Sequence, residues 1–280
     1  MSKSKNPNSP PSETAPIQSD MVQRHDVDGI ACLTLNRPQT RNALSRAMMT
    51  ALRTMLFILA QDQAIRAVIV KAEGPVFCAG HDLREMTAFR QAADGGKADF
   101  AQVFDLCAEM MQAIMTLPQP VIAAVEGMAT AAGCQLVASC DLAVASETAG
   151  FCTPGVHIGL FCSTPMVALS RNVGRKQAME MLLLGERIPA QQALEFGLVN
   201  RVVPAGQAFE HAMQWARVIA SKSQRALRIG KKAFYEQAEM PIADAYRHAG
   251  AVMVENMLSF DAEEGIGAFI QKRDPQWRDR

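Results

Sequence analysis

The chain has 280 residues, 49% of them hydrophobic and 20% charged, with 28 Lys and Arg against 28 Asp and Glu and so no formal net charge. This composition supports a globular chain with a sizeable core. It excludes the basic footprint of a nucleic-acid binder and any long-range field for steering anions, so an anion site must be local, built from a few side chains or backbone N–H groups.

Residues 1–20, MSKSKNPNSPPSETAPIQSD, are rich in Ser, Pro and Asn and carry almost no large apolar side chains. Such a segment cannot bury enough surface to order itself, which predicts a disordered tail. It has no apolar h-region and no Arg-rich amphipathic pattern, and it contains Glu13 and Asp20. Neither a secretory nor a mitochondrial leader is therefore expected, and the cytoplasm is the expected compartment. No apolar run approaches the ~18–20 residues that span a bilayer, so no membrane partner is expected. Seven cysteines, an odd number without a C-x-x-C pair or zinc spacing, predict free thiols and no metal.

Order is predicted from Val22. The stretch VQRHDVDGIACLTLN reads as two short strands around the Asp28-Gly29 turn signal. Pro38 and Asn42 mark a loop, and Met48, Leu52, Met55, Leu56 and Leu59 then recur at helical spacing. Residues 67–70 form a short apolar strand before Glu73-Gly74-Pro75. Val103, Leu106, Met110, Ile114 and Leu117 mark a second amphipathic helix, stopped by Pro118 and Pro120. A strand at Val121–Val125, a turn at Gly127, a small-residue helix over 131–139 and strands at 142–145 and from Phe151 follow. Strand and helix alternate, which argues an α/β fold with parallel strands. Strands cease near Ala205, and residues 211–271 read as consecutive helices. The Met-rich faces share their stripes with Leu and are read as core packing.

Two strand-to-helix turns have the character of a binding site. In Val76-Phe77-Cys78-Ala79-Gly80-His81-Asp82-Leu83, Gly80 permits a sharp turn and close approach to the main chain. Asp82 is placed to cap a helix, and the N–H of His81 would then point outward unpaired. In Gly127-Met128-Ala129-Thr130-Ala131-Ala132-Gly133-Cys134, a strand leads into a helix of small residues, whose first N–H groups lack partners and carry partial positive charge. Two such N–H groups on one oxygen would make an oxyanion hole.

Read together with LNRPQTRNAL (35–44), FCAGHDLREM (77–86), EGMATAAGCQLVASCDLAVAS (126–146), TPGVHIGLF (153–161), residues 175–204 and EGIGAFIQKRDPQW (264–277), these segments resemble the crotonase superfamily, the enoyl-CoA hydratase/isomerases. The resemblance covers residues 22–280. It implies a spiral of ββα turns over 21–204 and, over 205–280, a C-terminal helical module that builds a homotrimer or a hexamer made of two trimers. It further implies an acyl-CoA thioester as partner, with coenzyme A as part of the substrate and no separate cofactor. His81 and Ala132 would supply the oxyanion-hole N–H groups. Asp82, Leu83 and Arg84 would line the CoA site, with Arg41, Ala43 and Lys272 as further contacts.

One departure stands out. The family's hydratases carry a Glu in the small-residue helix and another after the following strand, where this chain has Gln135 and Gly155. Gln cannot exchange a proton and Gly has no side chain. Each such group is typically worth ~10²–10⁴ in rate, so routine hydration is not expected. The stretch ATAAGCQLVASCD suggests a branch of the family in which both glutamates are missing. Packing or solvent exposure is the default reading for His81 and His157, the histidines nearest these positions, and packing for Cys134 and Cys152. Asp141 is expected to fix a strand start, and Glu126 to be a candidate for burial. Three functions stay open: an enzyme with a non-standard base, a non-catalytic acyl-CoA binder, and a structural trimer. The retained Ala-Gly-His-Asp turn counts against the last.

Overall fold

The computed structural model describes residues 20–279. The disordered segment expected over 1–20 lies, Asp20 apart, outside them. Asp28 and Gly29 stand at φ 51° and 74°, the left-handed pair that suits a tight hairpin. They fold β1 (Val22–Val27) antiparallel onto β2 (Ile30–Leu35). β2 is buried along its whole length, as expected of a strand covered on both faces. Ser45 caps α1 (Arg46–Gln61) by accepting from the Met48 N–H at 3.2 Å, and α1 buries the stripe from Met48 to Leu59.

Three ββα turns follow. The first comprises β3 (Ala67–Ala72), β4 (Val76–Cys78) and two helices, α2 (Leu83–Phe89) and α3 (Lys97–Thr116). The second is β5 (Val121–Val125), β6 (Met128–Thr130) and α4 (Ala132–Ser139). The third is β7 (Leu142–Ser146), β8 (Gly150–Cys152), α5 (Ser163–Asn172) and α6 (Arg175–Leu184). Each turn gives its first strand to one sheet and its second to another. The larger sheet runs β1-β2-β3-β5-β7-β10 and the smaller β4-β6-β8-β9, with β9 (Ile188–Pro189), α7 (Ala190–Phe196) and β10 (Arg201–Val203) closing the spiral. All pairings from β2 onward in the larger sheet are parallel. This is the α/β spiral expected, with the β8 strand beginning at Gly150 rather than Phe151.

α8 (Ala208–Ala220) lays Ala208, Ala212, Met213 and Ala216 on the outer face of the larger sheet, against Ile30, Ile69, Ile122 and Val144. α9 (Gln224–Gln237), α10 (Ile242–Met257) and α11 (Phe260–Gln271) complete the helical C-terminal region. Asp261, buried, accepts from Ser223 Oγ and from the N–H groups of Arg278 and Asp279, and so ties the last residues back onto α9. Large apolar side chains remain exposed on these helices, among them Tyr246, Val254, Leu258, Phe269 and Ile270. No helix of the described residues is long and apolar enough to cross a membrane.

Candidate functional site

Two loops run side by side at the head of the first turn. Ala79 N–H donates to the Arg41 carbonyl at 3.0 Å, Leu44 N–H to Gly80 at 2.7 Å and Asp82 N–H to Leu44 at 3.4 Å. Arg41 and Asn42 both sit in the left-handed region, and buried Asn42 holds them there. Its amide donates to the carbonyls of Glu73 and Val76 and accepts from Arg37 N–H. Arg41 and Ala43 thereby lie on the loop that pairs with the His81 turn. Asp82 caps α2, accepting from the N–H groups of Arg84 and Glu85; Leu83, half exposed, and Arg84 face outward. Lys272 caps α11 at φ 54°, and no hydrogen bond or ion pair among the described residues ties it to this turn.

The second turn meets the first. Gly80 stands at φ 82°, and a Cβ there would lie 2.9 Å from the Thr130 carbonyl and 3.2 Å from Ala132 N. A Cβ on Gly133 would run into the Cys78 carbonyl. Small residues thus let the start of α4 press against β4 and the Gly80 turn. Ala131, at φ 52° and ψ −116°, holds a conformation costly for a residue with a side chain. Its N–H donates to Cys152 and its carbonyl accepts from Gln135 N–H. The N–H groups of His81 and Ala132 donate to no protein acceptor among the described residues, and α4 has no side-chain cap.

The His81 ring packs edge-on against Phe104, with centroids 5.4 Å apart, and neither ring nitrogen has a hydrogen-bond partner. Burial pushes its pKa down; the nearby Leu44 carbonyl offsets this in part without meeting hydrogen-bond geometry. The ring is therefore neutral near pH 7 and could accept a proton only weakly.

Gln135 lies one helical turn beyond Ala132. It is 5% exposed, and its side-chain amide makes no hydrogen bond to the protein. It lines a cavity of about 710 Å³ between α3, α4, α5 and α9, with Met111, Met115, Val167, Ala168 and Tyr235 among the walls. Of the expected site residues the cavity contains Gln135 alone. Met48, Met55, Met110, Met111 and Met181 are core, as expected, with Met111 also lining this cavity beside Met115, whereas Met179 is exposed.

At Gly155 a Cβ would stand 3.0 Å from Cys162 Sγ, 3.0 Å from the Leu160 carbonyl and 3.3 Å from Cys162 N. The place in which a second carboxylate would begin is thus tight against Cys162 and its loop. The remaining side chains have structural tasks. His157 Nε2 pairs with the Leu184 carbonyl at 2.9 Å. Glu126 accepts from Gly206 and Ala208 N–H and caps the start of α8. Asp141 accepts from Val121 N–H, fixing β5, and also from Lys231 Nζ at 2.6 Å and Tyr235 Oη at 2.9 Å. Cys134 and Cys152 are buried, and desolvation raises both thiols, so neither is poised as a nucleophile. All seven cysteines are free, and among the described residues no cluster of His, Cys, Asp or Glu is arranged to hold a metal.

Ala131, Cys162, Lys231 and Tyr235 were not singled out by sequence reasoning. Lys231 and Tyr235 stand four apart on one helix face, a readable signal. Ala131 and Cys162 carry none, because ordinary small residues there acquire their roles from the backbone around them.

A family model described as Enoyl-CoA hydratase/isomerase matches residues 26–280. The chain is 48% identical over 251 residues to the Homo sapiens enoyl-CoA hydratase domain-containing protein 3, mitochondrial, covering 90% of this chain and 81% of that protein. The Rattus norvegicus counterpart is 47% identical over 250 residues, covering 89% and 82%. These matches support the branch of the family named for enoyl-CoA hydratase domain-containing protein 3. Among solved structures, the enoyl-CoA hydratase of Mycobacterium smegmatis superposes with a TM-score of 0.88 at 48% identity, covering 92% of this chain and 99% of that one. The human protein superposes at 0.87 and 47%, covering 92% and 100%. The expected cytoplasmic location is corrected: the rat and human relatives are named mitochondrial, which points away from the cytoplasm. The earlier expectation rested on the composition of the first twenty residues, and composition is a weak guide to a receptor-read address.

Proposed function

The chain belongs to the enoyl-CoA hydratase/isomerase family, and from that premise we propose that it binds an acyl-CoA thioester with the carbonyl oxygen held by the N–H groups of His81 and Ala132. The observation that carries this reading is that the Gly80 turn abuts Ala132 N while both N–H groups are free of acceptors among the described residues. Two fixed amides on one oxygen favour the enolate form of the thioester, and one such donor is typically worth ~10²–10³ in rate. Arg41, Ala43, Asp82, Leu83, Arg84 and Lys272 are the proposed contacts to the coenzyme A portion, which is part of the substrate; no separate cofactor is invoked. The acyl chain would pass Gln135 into the cavity lined by Met111 and Met115. The chain would assemble as a homotrimer or a pair of trimers through its helical C-terminal region.

Routine hydration is not part of the proposal. Water addition needs one group to take a proton from water and another to deliver one to carbon, and Gln135 and Gly155 can do neither. Neutral His81, packed on Phe104, belongs to the same residue as one of the free amides. The reading is therefore enolate-type chemistry with a non-standard base, or very weak hydration. A second reading, a non-catalytic acyl-CoA binder, is favoured by one specific observation: Cys162 and its loop crowd the place in which the second carboxylate would begin.

Calorimetric titration with crotonyl-CoA, followed by spectrophotometric assay of the enoyl thioester, tests both parts. Binding is expected, with turnover about 10³-fold or more below that of a hydratase with both carboxylates. Absence of binding, or hydratase-like turnover, would overturn the proposal.

A further inference from the structure

Three thiols gather around the start of α4: Cys134 in its first turn, Cys152 at the end of β8 and Cys162 at the N-cap of α5. They lie near enough that charge on Cys152 or Cys162 would be felt at Cys134. Cys134 is fully buried, and Cys152 donates to Thr130 Oγ1 at 3.7 Å. Cys162 differs from both. Its thiol makes no hydrogen bond among the described residues, and its Sγ stands 3.0 Å from the point where a Cβ on Gly155 would lie. The other ionisable groups near the free amides are engaged elsewhere: the His81 ring packs on Phe104, His157 pairs with the Leu184 carbonyl, and Glu126 caps α8.

Two influences act on the Cys162 thiol. Burial, the larger, raises its pKa, and the Gly155 N–H offsets this in part. Its seat at the N-terminus of α5 also favours the thiolate. The thiol is therefore protonated near pH 7 and ionises in the alkaline range, where its thiolate is a strong base. Cys134 and Cys152 are the titratable groups that interact with it, and Arg187 acts on Cys152.

We propose that Cys162 is the base of this site, its thiolate taking a proton from C2 of the bound acyl group and its thiol returning one, so that the chain exchanges the C2 hydrogens of a saturated acyl-CoA with solvent. This names the base left open above and rests on the thioester reading. As the S–H bond forms, the C2–H bond breaks and its electron pair moves onto the thioester oxygen, where the N–H groups of His81 and Ala132 hold the enolate. The sulfur exchanges its proton with solvent, and return of a proton to C2 restores the thioester. No oxidant, reductant or second substrate is consumed. The fold brings the sulfur to the right neighbourhood. α5 packs against α4, the Leu160 N–H closes the intervening loop onto the Gly155 carbonyl at 2.9 Å, and Thr164 lines the same cavity as Gln135. A thiol can exchange a proton, which neither Gln135 nor Gly155 can do.

The test incubates butyryl-CoA with the full chain in deuterated water, reads deuterium at C2 by mass spectrometry and measures binding by calorimetry. Exchange is expected at least about 10²-fold above a protein-free control, and still rising at about pH 9 as the thiolate forms. Cys162→Ser, similar in shape but not ionising in this range, is expected to bind within about threefold and to lose about 10²-fold or more of the exchange. Cys32→Ser, on β2 in the larger sheet, should keep the full rate. Binding without exchange in the unmodified chain would overturn the inference while leaving the thioester reading intact, and that comparison needs no variant to fold. Exchange that levels off by about pH 7, or that survives in Cys162→Ser, would also overturn it by assigning the proton to another group. Failure of butyryl-CoA to bind would instead overturn the thioester reading beneath it.

Discussion

A Cβ on Gly155 would meet two backbone atoms of the 160–162 loop as well as Cys162 Sγ, all within 3.3 Å. Backbone atoms cannot rotate aside as a side chain can, so even a Cβ requires the loop to give by a few tenths of an ångström. Gly155→Glu is expected to lower stability by about 1–3 kcal/mol, the usual range for overpacking, read as a fall in urea midpoint at unchanged m-value. Gln135→Glu with Gly155→Glu should for the same reason give little hydration; full hydratase turnover from that pair would show that the loop yields freely. His81 gives a pH signature. Burial lowers its pKa in the folded chain, so the unfolded chain takes up the proton first as pH falls. The contribution is complete above the unfolded value near ~6.5 and is lost as pH drops below it toward the lower folded value. Between about pH 7.5 and about pH 5.5, the unmodified chain should lose more stability than His81→Asn. Equal losses, measured by urea unfolding at both pH values, would mean that the ring is not held neutral. At this scale the roles of Gly80, Asp82 and Asp141 were legible because each residue type has a backbone task it does better than others. The strain at Ala131 was not, since nothing about alanine announces φ 52°.

Helix α9 is fastened to the spiral by one polar knot. Lys231 Nζ donates to Asp141 and to the carbonyls of Ile114 and Gln119, and Tyr235 Oη donates to the other Asp141 oxygen. Both ends of the Lys231–Asp141 pair are largely buried. Removing one charge from such a pair leaves the other uncompensated, so Asp141→Asn is expected to cost about 3–5 kcal/mol, read by chemical denaturation. A loss under 1 kcal/mol or so would place the knot among exposed pairs of little worth. Because Tyr235 also lines the cavity, the same variant should weaken butyryl-CoA binding. The elements themselves were legible to different depths. β2, β3 and β5 read clearly as buried apolar runs, and α1 and α3 as amphipathic stripes. Of the smaller sheet, β4 and β8 were legible as short apolar strands, whereas β6 and β9 were not, because they span only three and two residues, too short for a period to show. The start of α3 was hidden as well: the helix opens on Gly96 at φ 88° after a polar stretch without pattern.

On the whole molecule, Tyr246, Val254, Leu258, Phe269 and Ile270 leave α10 and α11 with more exposed apolar surface than a lone chain usually carries. Copies of the chain are the proposed cover. Sedimentation should give a mass three or six times that of one chain, and a stable monomer at micromolar concentration would contradict it. The spiral order was legible because strand and helix alternate in sequence. Compartment was not, because neutral net charge and a polar first segment are compatible with many addresses.

The most direct test of the paired amides is isotope-edited infrared difference spectroscopy on butyryl-CoA labelled with carbon-13 at the thioester carbon. Two N–H groups on one oxygen should draw the carbonyl stretch of the bound ligand below its position in solution and narrow it. A band unmoved from that position, with binding established in the same sample by calorimetry, would contradict a grip by His81 and Ala132.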